Sequence, residues 1–469
     1  MLDVVILAAG KGSRMHSSLP KVLHELAGEP MLGHVIAVAK SLTDKRGGRV
    51  RVVTGHGSDQ VDPFVVQHGA EVIHQDEQLG TGHALRIATH DLDPGGQTLV
   101  LYGDVPLISE EDIDPLISEG QNHLAVLTAI VDEPDGYGRI VRDSDGGLIA
   151  IVEHHDASEE ERAICEINSG IYAAPTSLFQ GLLPKLSTSN VQNEYYLTDC
   201  VQLSVNSGRE VRGFRGTSTA IMGVNDRSQL AELNQLLQRQ RRNALMASGV
   251  TLVDPDTVYL NGRHIDIRPD TIIEPNVTLN SPITVAPHVR IGFGSHLTDV
   301  EIGENSVIKQ YTVAESVSIG NDAQVGPFTR LRPGTELSDA THVGNFCEIK
   351  NAKVGRGSKV NHLSYVGDAV VGQRVNVGAG TITCNYDGAY KHQTKFGNDV
   401  FVGSNTSLIA PVTLGDGVTI GAGSVITSDV SLPMVVKSVP LFAELVFFTV
   451  IRPVTVLSVK VVPNELNLT

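Results

Sequence analysis

Residues 319–349 read IGNDAQVGPFTRLRPGTELSDATHVGNFCEI, and every sixth of them is a branched aliphatic: Ile319, Val325, Leu331, Leu337, Val343 and Ile349. Gly320, Gly326 and Gly344 each follow one of these. The same beat runs upstream through Val277, Ile283 and Val289. Downstream it returns at Val354, Val360 and Val366, at Val371 and Val377, and at Val402, Leu408, Leu414, Ile420 and Ile426. An amphipathic helix repeats at about 3.6 residues and a half-buried strand at about 2, so neither sustains this beat. It is the mark of a parallel β-helix, in which three short strands make one coil of roughly eighteen residues. The repeating aliphatics point inward, and glycine or asparagine turns the tight corners. Stability comes from stacking, because no coil can bury its apolar face alone. Residues 250–430 are expected to form this solenoid.

A chain of 469 residues holds two or three domains at roughly 100–200 residues each. Hydrophobic content of 41% supports sizeable cores, and the absence of tryptophan suits coils better than a base-stacking surface. Acidic residues outnumber basic ones 53 to 36, which argues against non-specific binding to nucleic acid or to anionic membrane. Small phosphorylated ligands held by local cations stay open. Cys165, Cys200, Cys347 and Cys384 lack CxxC spacing, so no zinc site is expected, and they read as reduced thiols of a cytosolic protein. Neither a signal peptide nor a membrane span is expected: the chain opens on a strand at Val4–Leu7 and has no uninterrupted apolar run of about 20 residues.

Residues 1–226 alternate strand-like and helix-like stretches. Val4–Leu7, Val52–Thr54 and Thr98–Tyr102 read as buried strands, Met31–Lys40 and His83–His90 as helices. This implies a Rossmann-like parallel sheet with ligands beyond the carboxyl ends of its strands. The first such end is Leu7-Ala8-Ala9-Gly10-Lys11-Gly12-Ser13-Arg14-Met15. A glycine-rich turn there wraps backbone N–H groups round phosphate, with Arg14 and Lys21 as fork and point charge. On spacing alone an ordinary tight turn is as good a reading, since GxGxxG and GxxxxGK[ST] are both absent. Gln75 precedes Gly80-Thr81-Gly82 and can offer both donor and acceptor to a base edge. Asp104, at the end of Tyr102-Gly103-Asp104, suits Mg²⁺, which takes one or two carboxylates plus phosphate and water; a helix N-cap is the competing reading. Gly136–Arg139, Glu153, Asn168, Glu194–Asp199 and Gly223–Asp226 are polar loop residues that singly say little. Leu230, Leu233, Leu237 and Leu245 predict a solvated helix over 227–249 that links two domains, capped by Asn225 or Asp226.

In order, LAAGKGSRM (7–15), PK (20–21), QLGTGHA (78–84), YGDVPL (102–107), GYGRI (136–140), VEH (152–154), INSGI (167–171), EYYLTD (194–199) and GVN (223–225) resemble the motifs of sugar nucleotidyltransferases. With hexapeptide coils behind them, residues 1–430 resemble the bifunctional bacterial family that joins N-acetylglucosamine-1-phosphate uridylyltransferase to glucosamine-1-phosphate acetyltransferase. The resemblance implies an α/β Rossmann-like domain followed by a left-handed parallel β-helix. It also implies a cytoplasmic homotrimer that makes UDP-N-acetylglucosamine, feeding peptidoglycan and lipopolysaccharide synthesis. Leu7, Ala8, Ala9 and Gly10 would line the nucleotide, and Lys21, with Arg14, the phosphates. Gln75, Gly80 and Thr81 would hold uracil. Tyr102, Gly103, Gly138, Glu153 and Asn168 would hold sugar and ribose, and Asp104 and Asn225 would hold Mg²⁺. UTP and acetyl-CoA are the implied co-substrates.

In the coils, Thr381–Gly388 breaks the beat, so a loop should project there, and loops on rigid solenoids are where function tends to sit. The resemblance makes His362 the general base, a role that histidine's ordinary pKa of about 6.5 suits. It places Arg332, Lys350, Tyr365 and Asn376 on the sugar phosphate, and Ala379, Asn385, Tyr386, Ser404 and Ala422 on acetyl-CoA. Two other readings stay open: a nucleotidyltransferase whose coils are only an oligomerisation scaffold, and a non-catalytic sugar-nucleotide sensor. A scaffold has no need of His362, Lys350, Tyr365 or the Asn385-Tyr386 loop. The likeness decays after Asp429. The family carries a basic residue before its Val-Pro pair, where Val439-Pro440 here follows Ser438, with Lys437 one place earlier. An atypical apolar tail is expected over 431–469, so acetyl transfer is expected to be the weaker half-reaction.

Overall fold

A computed structural model describes residues 1–431 and the backbone of a strand at Val435–Val436. The expectations placed on the tail, Lys437 and Ser438 included, lie outside the described residues. The chain divides into two compact units that meet within the helix Arg227–Ala247, between Leu237 and Gln238.

In the first unit the strands lie in the order Val211–Arg215, Leu124–Ile130, Glu166–Pro175, Gln97–Tyr102, Leu2–Leu7, Val50–Thr54, Glu71–His74. Leu2–Leu7 is buried along its whole length, as a strand covered on both faces must be. Val4 and Ile6 face Leu32 and Ile36 on one side, whereas Val5 and Leu7 face Leu85 and Phe179 on the other. Its parallel register sets Leu7 beside Val53 and Tyr102, so three strand ends open side by side. Glu166–Pro175 runs antiparallel to both its neighbours and bulges between Asn168 and Tyr172. Gly170 sits in that bulge at φ 81°, where a Cβ would also come within 2.7 Å of the Tyr102 ring; only glycine fits.

Glu166 ties this strand to the neighbouring Arg139–Arg142 strand. It accepts from Arg142 Nη2 at 2.6 Å and Nε at 2.8 Å, and from Thr128 Oγ1 at 2.8 Å. Burial alone would raise its pKa, but these donors and the Arg142 charge outweigh burial and bring it down from 4.5 to about 2. A depressed carboxylate stabilises the fold above its unfolded pKa and loses that contribution as pH falls through the folded value. Acid unfolding of the wild type should therefore steepen between pH 4.5 and about 2. Glu166→Gln should be less stable at neutral pH and flatter across that window, as a series of thermal melts would record.

In the second unit every aliphatic of the six-residue beat is buried. Successive coils pair in parallel: Val325 with Val343, then Val360, Val377, Val402 and Ile420. Leu331, Ile349 and Val366 form a second interior column, and Leu337, Val354, Val371, Phe396 and Leu414 a third. Each buried aliphatic stabilises the stack by about 1.5–3 kcal/mol. Gly344 follows its aliphatic because any Cβ there would collide with the Asn361 carbonyl one coil on. The broken beat is an insertion: the coil leaves the strand Ile382–Cys384 and resumes at Thr394–Phe396.

The helix Arg227–Ala247 starts where expected. Asp226 Oδ1 accepts from the Ser228 and Gln229 N–H groups, both at 2.9 Å. It is the partly exposed helix expected, held by three buried residues. Leu233 is fully buried with Met15, Met31 and Val224. Gln238 exchanges hydrogen bonds with the Leu260 backbone at 2.9 and 3.1 Å, and Arg242 reaches Asp256 at 3.0 Å.

Candidate active sites

Past the strand ends of the first unit, two side chains meet on the charge of a third. The Lys21 ammonium forms an ion pair with Asp104 and donates to Asn225 Oδ1 at 3.1 Å. Lys21 opens a 3₁₀ turn after Pro20. Asp104 follows Gln97–Tyr102, and its carbonyl accepts from Val224 N at 2.9 Å, bringing Asn225 alongside. Asp104 is no helix cap, because Ser109 caps the next helix in a reciprocal box with Asp112. Two oxygens thus converge on a cation. Among the described residues no group of three or more His, Cys, Asp or Glu could hold a metal, so a metal at Asp104 and Asn225 would complete its shell with phosphate and water. That is the Mg²⁺ habit, and the donor set fits it. Arg14 is exposed on the turn Ser13–Met15.

The end of the first strand is tied into place at Leu7, Ala8 and Ala9. Gly103 N donates to the Leu7 carbonyl, Ala8 N to Val53, and His56 N to the Ala9 carbonyl. Nothing lies within 4 Å of where a Gly10 side chain would point, which leaves room for a ligand against the backbone. Gly138, Glu153 and Asn168 gather at one point: a Cβ on Gly138 would lie 3.5 Å from Glu153 Oε2 and 3.6 Å from Asn168 Cβ. Burial raises the Glu153 pKa, against a 3.1 Å hydrogen bond from Thr198. Burial, with Glu153 and Asp104 nearby, also raises that of Tyr102, against the opposing influence of the neighbouring Thr81 side chain. The amide nitrogen of Gln75 is engaged internally, at 3.2 Å from the Gly80 carbonyl and 3.0 Å from His83 Nδ1. Gln75 therefore cannot offer the donor that the sequence reading gave it.

The second cluster lies on the coils. Arg332 and Lys350 are register neighbours one coil apart. Arg332 donates to Glu348 at 2.8 Å, and Lys350 faces Asp368 at 3.6 Å. Asn385, from the inserted loop, reaches Asp368 Oδ2 at 2.5 Å and the Tyr365 hydroxyl at 3.4 Å. Burial would raise the Asp368 pKa, but hydrogen bonds from Asn351 and Asn385 and the Lys350 and Lys391 charges lower it. His362 is exposed at the corner before Tyr365, its Nδ1 at 2.8 Å from Asn345 Oδ1. With Asn345 accepting from Nδ1–H, Nε2 carries the lone pair and is free to take a proton. Asn376 stands on another face of the coil, paired with Lys359 and Phe401, and is not brought to Arg332 within the chain. Ala379, Ser404 and Ala422 stack on successive coils beside closely packed glycines. Tyr386 is exposed at the head of the loop, where Asp387 pairs with His392 at 2.7 Å.

The MobA-like NTP transferase domain model matches residues 4–249, and the bacterial transferase hexapeptide model matches residues 393–428. The Bifunctional protein GlmU of Stutzerimonas stutzeri (strain A1501) is 49% identical over 92% of this chain and 94% of its own length. That of Acinetobacter baumannii (strain ACICU) is 47% identical over 91% and 94%, and that of Marinobacter nauticus 48% over 92% and 94%. The chain belongs to the GlmU family. It is a bifunctional transferase, with a nucleotidyltransferase fold in the first unit and hexapeptide coils in the second.

At the two GlmU sites, Lys391, Asn345 and Asp368 escape a reading by motif, whereas Tyr137 and Arg139 stand inside GYGRI but are given no role by it. Lys391 lies beside Lys350 and faces Asp368. Tyr137 lies close to the Gly223 backbone, Asp104 and Arg14, which brings the Gly136–Arg139 turn to the cation cluster. Behind that turn, Arg139 is fully buried and holds the Tyr137 carbonyl. Asn345 and Asp368 could have been found by coil arithmetic, since Asn345 precedes His362 by 17 residues and Asp368 precedes Asn385 by the same number.

Proposed function

We propose that the chain makes UDP-N-acetylglucosamine in two steps: acetyl transfer from acetyl-CoA to glucosamine 1-phosphate, then uridylyl transfer from UTP. The observation that carries this reading is the meeting of Asp104 and Asn225 on Lys21, residues up to 204 positions apart, in a chain that also holds a histidine and a cationic sugar-phosphate cluster on its coils.

In the uridylyl step the phosphate of N-acetylglucosamine 1-phosphate attacks the α-phosphorus of UTP, the bond to the bridging oxygen breaks, and pyrophosphate leaves. Such chemistry needs positioning and charge neutralisation rather than a protein nucleophile. Lys21 and Arg14 face the phosphates, Leu7–Gly10 bind the nucleotide backbone, Gln75, Gly80 and Thr81 the base, and Tyr102, Gly103, Gly138, Glu153 and Asn168 the sugars. Asp104 and Asn225 would hold Mg²⁺, which when bound neutralises charge on the triphosphate. In the acetyl step the glucosamine amine attacks the thioester carbonyl while His362 Nε2 takes its proton, and the thiolate of CoA leaves. Arg332, Lys350 and Tyr365 hold the sugar phosphate. Asn385, Tyr386, Ala379, Ser404 and Ala422 hold acetyl-CoA. Asn376, on its separate face, would serve through a neighbouring subunit of a homotrimer, a closed arrangement that flat-sided solenoids suit. No helix among the described residues is long and apolar enough to cross a membrane, and we place the enzyme in the bacterial cytoplasm.

Incubation with UTP, MgCl₂, acetyl-CoA and glucosamine 1-phosphate should yield UDP-N-acetylglucosamine, free CoA and pyrophosphate by mass analysis, with acetyl transfer the slower half. Pyrophosphate release from N-acetylglucosamine 1-phosphate without any CoA release would leave the scaffold reading in its place.

A further inference from the structure

We infer that His83 sets the base preference of the nucleotide site: it locks the Gln75 side chain so that only the amide oxygen is offered to the base, which suits uracil and opposes cytosine. This rests on the reading above that Gln75 lies at the base of UTP, and it assigns that specificity to a residue behind the contact.

Gln75 is 3% exposed, so its amide has little freedom. The Nε2 atom lies 3.2 Å from the Gly80 carbonyl. A carbonyl can only accept, which turns the nitrogen toward Gly80, though at 3.2 Å this is the longer of the two contacts that the amide nitrogen makes. The second amide hydrogen meets His83 Nδ1 at 3.0 Å. Both hydrogens of the NH₂ group are then used, and Oε1 accepts no hydrogen bond among the described residues. The lock requires Nδ1 to accept, hence a neutral ring. His83 is the third residue of the helix Thr81–Thr89, at the positive end of its dipole. Burial and the Arg86 charge disfavour the imidazolium, against a hydrogen bond to the Glu77 backbone and the Glu77 charge. The Tyr195 ring packs 6.4 Å away.

Uracil presents N3–H between two carbonyls and so donates to a fixed oxygen. Cytosine in the same register turns the N3 lone pair toward it. The mismatch leaves two acceptors facing each other, a repulsive device against the wrong ligand, and sites that pair a substrate N–H discriminate more strongly than sites that merely fill space.

The test compares kcat/KM for UTP and CTP in the full-length wild type, His83→Ala and His83→Asn. The wild type should prefer UTP. His83→Ala should lose about tenfold of that preference, the worth of one hydrogen bond, mainly through KM. His83→Asn, whose side-chain oxygen can take the place of Nδ1, should keep most of it. Thermal unfolding checks the fold, and His83→Leu, which also lacks an acceptor, replaces the alanine variant if that one is unstable. A folded variant without an acceptor at position 83 that keeps the wild-type ratio would overturn the proposal alone, as would an asparagine variant as indiscriminate as alanine. A wild type indifferent between UTP and CTP would remove the base-site reading and the proposal together.

Discussion

Replacing His362 with alanine should cut acetyl transfer by about 10²–10⁴, the usual worth of a positioned general base, and leave uridylyl transfer at its wild-type rate. The side chain is exposed and, among the described residues, its one hydrogen bond is to Asn345, so its removal opens no cavity and should not perturb the coil. On the proposed mechanism the loss should fall on kcat, because the histidine would meet the amine proton as the new bond forms and would add little to ground-state binding. CoA release assayed with a thiol reagent, alongside pyrophosphate release from the same preparation, separates the two halves. Acetyl transfer within tenfold of wild type would mean that another group takes the proton. Asn345→Ala should give a smaller loss, since the imidazole stays but its tautomer is no longer set.

Asp104→Ala should lower uridylyl transfer by about 10²–10³, the scale on which one preorganised charge-stabilising group acts, with acetyl transfer unchanged. Two effects would combine: the carboxylate proposed to hold a divalent cation is gone, and Lys21 loses its ion-pair partner. The fold is spared, because the Val224 segment is tied by the Asp104 backbone carbonyl and not by its side chain. A titration of pyrophosphate release against MgCl₂ should show the residual activity requiring more metal. Near-normal turnover at wild-type Mg²⁺ would dismiss Asp104 as a metal holder.

The solenoid was legible down to individual residues, because a beat of six fits no other regular structure and each beat position is buried. The α/β sheet was legible in outline. Its strand at Val50–Thr54 begins two residues before the apolar run because Arg51 is buried inside it, paired with Asp91 at 2.5 Å and Glu71 at 3.1 Å; a charge in mid-strand hides its own burial. Two anchors of the connecting helix were hidden for a related reason. Counting leucines registers apolar contacts, whereas Gln238 and Arg242 are buried through hydrogen bonds to carbonyls. At the sites, the ordered motifs pointed to Asp104 and Asn225, but spacing could not reveal that they meet on Lys21. Nor could it show that Gln75 has spent its donor, since that depends on a carbonyl and an imidazole seen only once the loop is folded.

The insertion at Asn385–Gln393 interrupts one coil, yet the strands on either side keep their partners: Ala369 still pairs with Thr394, and Thr383 with Leu408. A detour at one corner therefore leaves the ladder above and below in register. Such an architecture can lengthen or exchange a ligand-gripping loop without redesigning its interior, so new acceptor specificities could evolve by corner grafts while the aliphatic columns stay untouched.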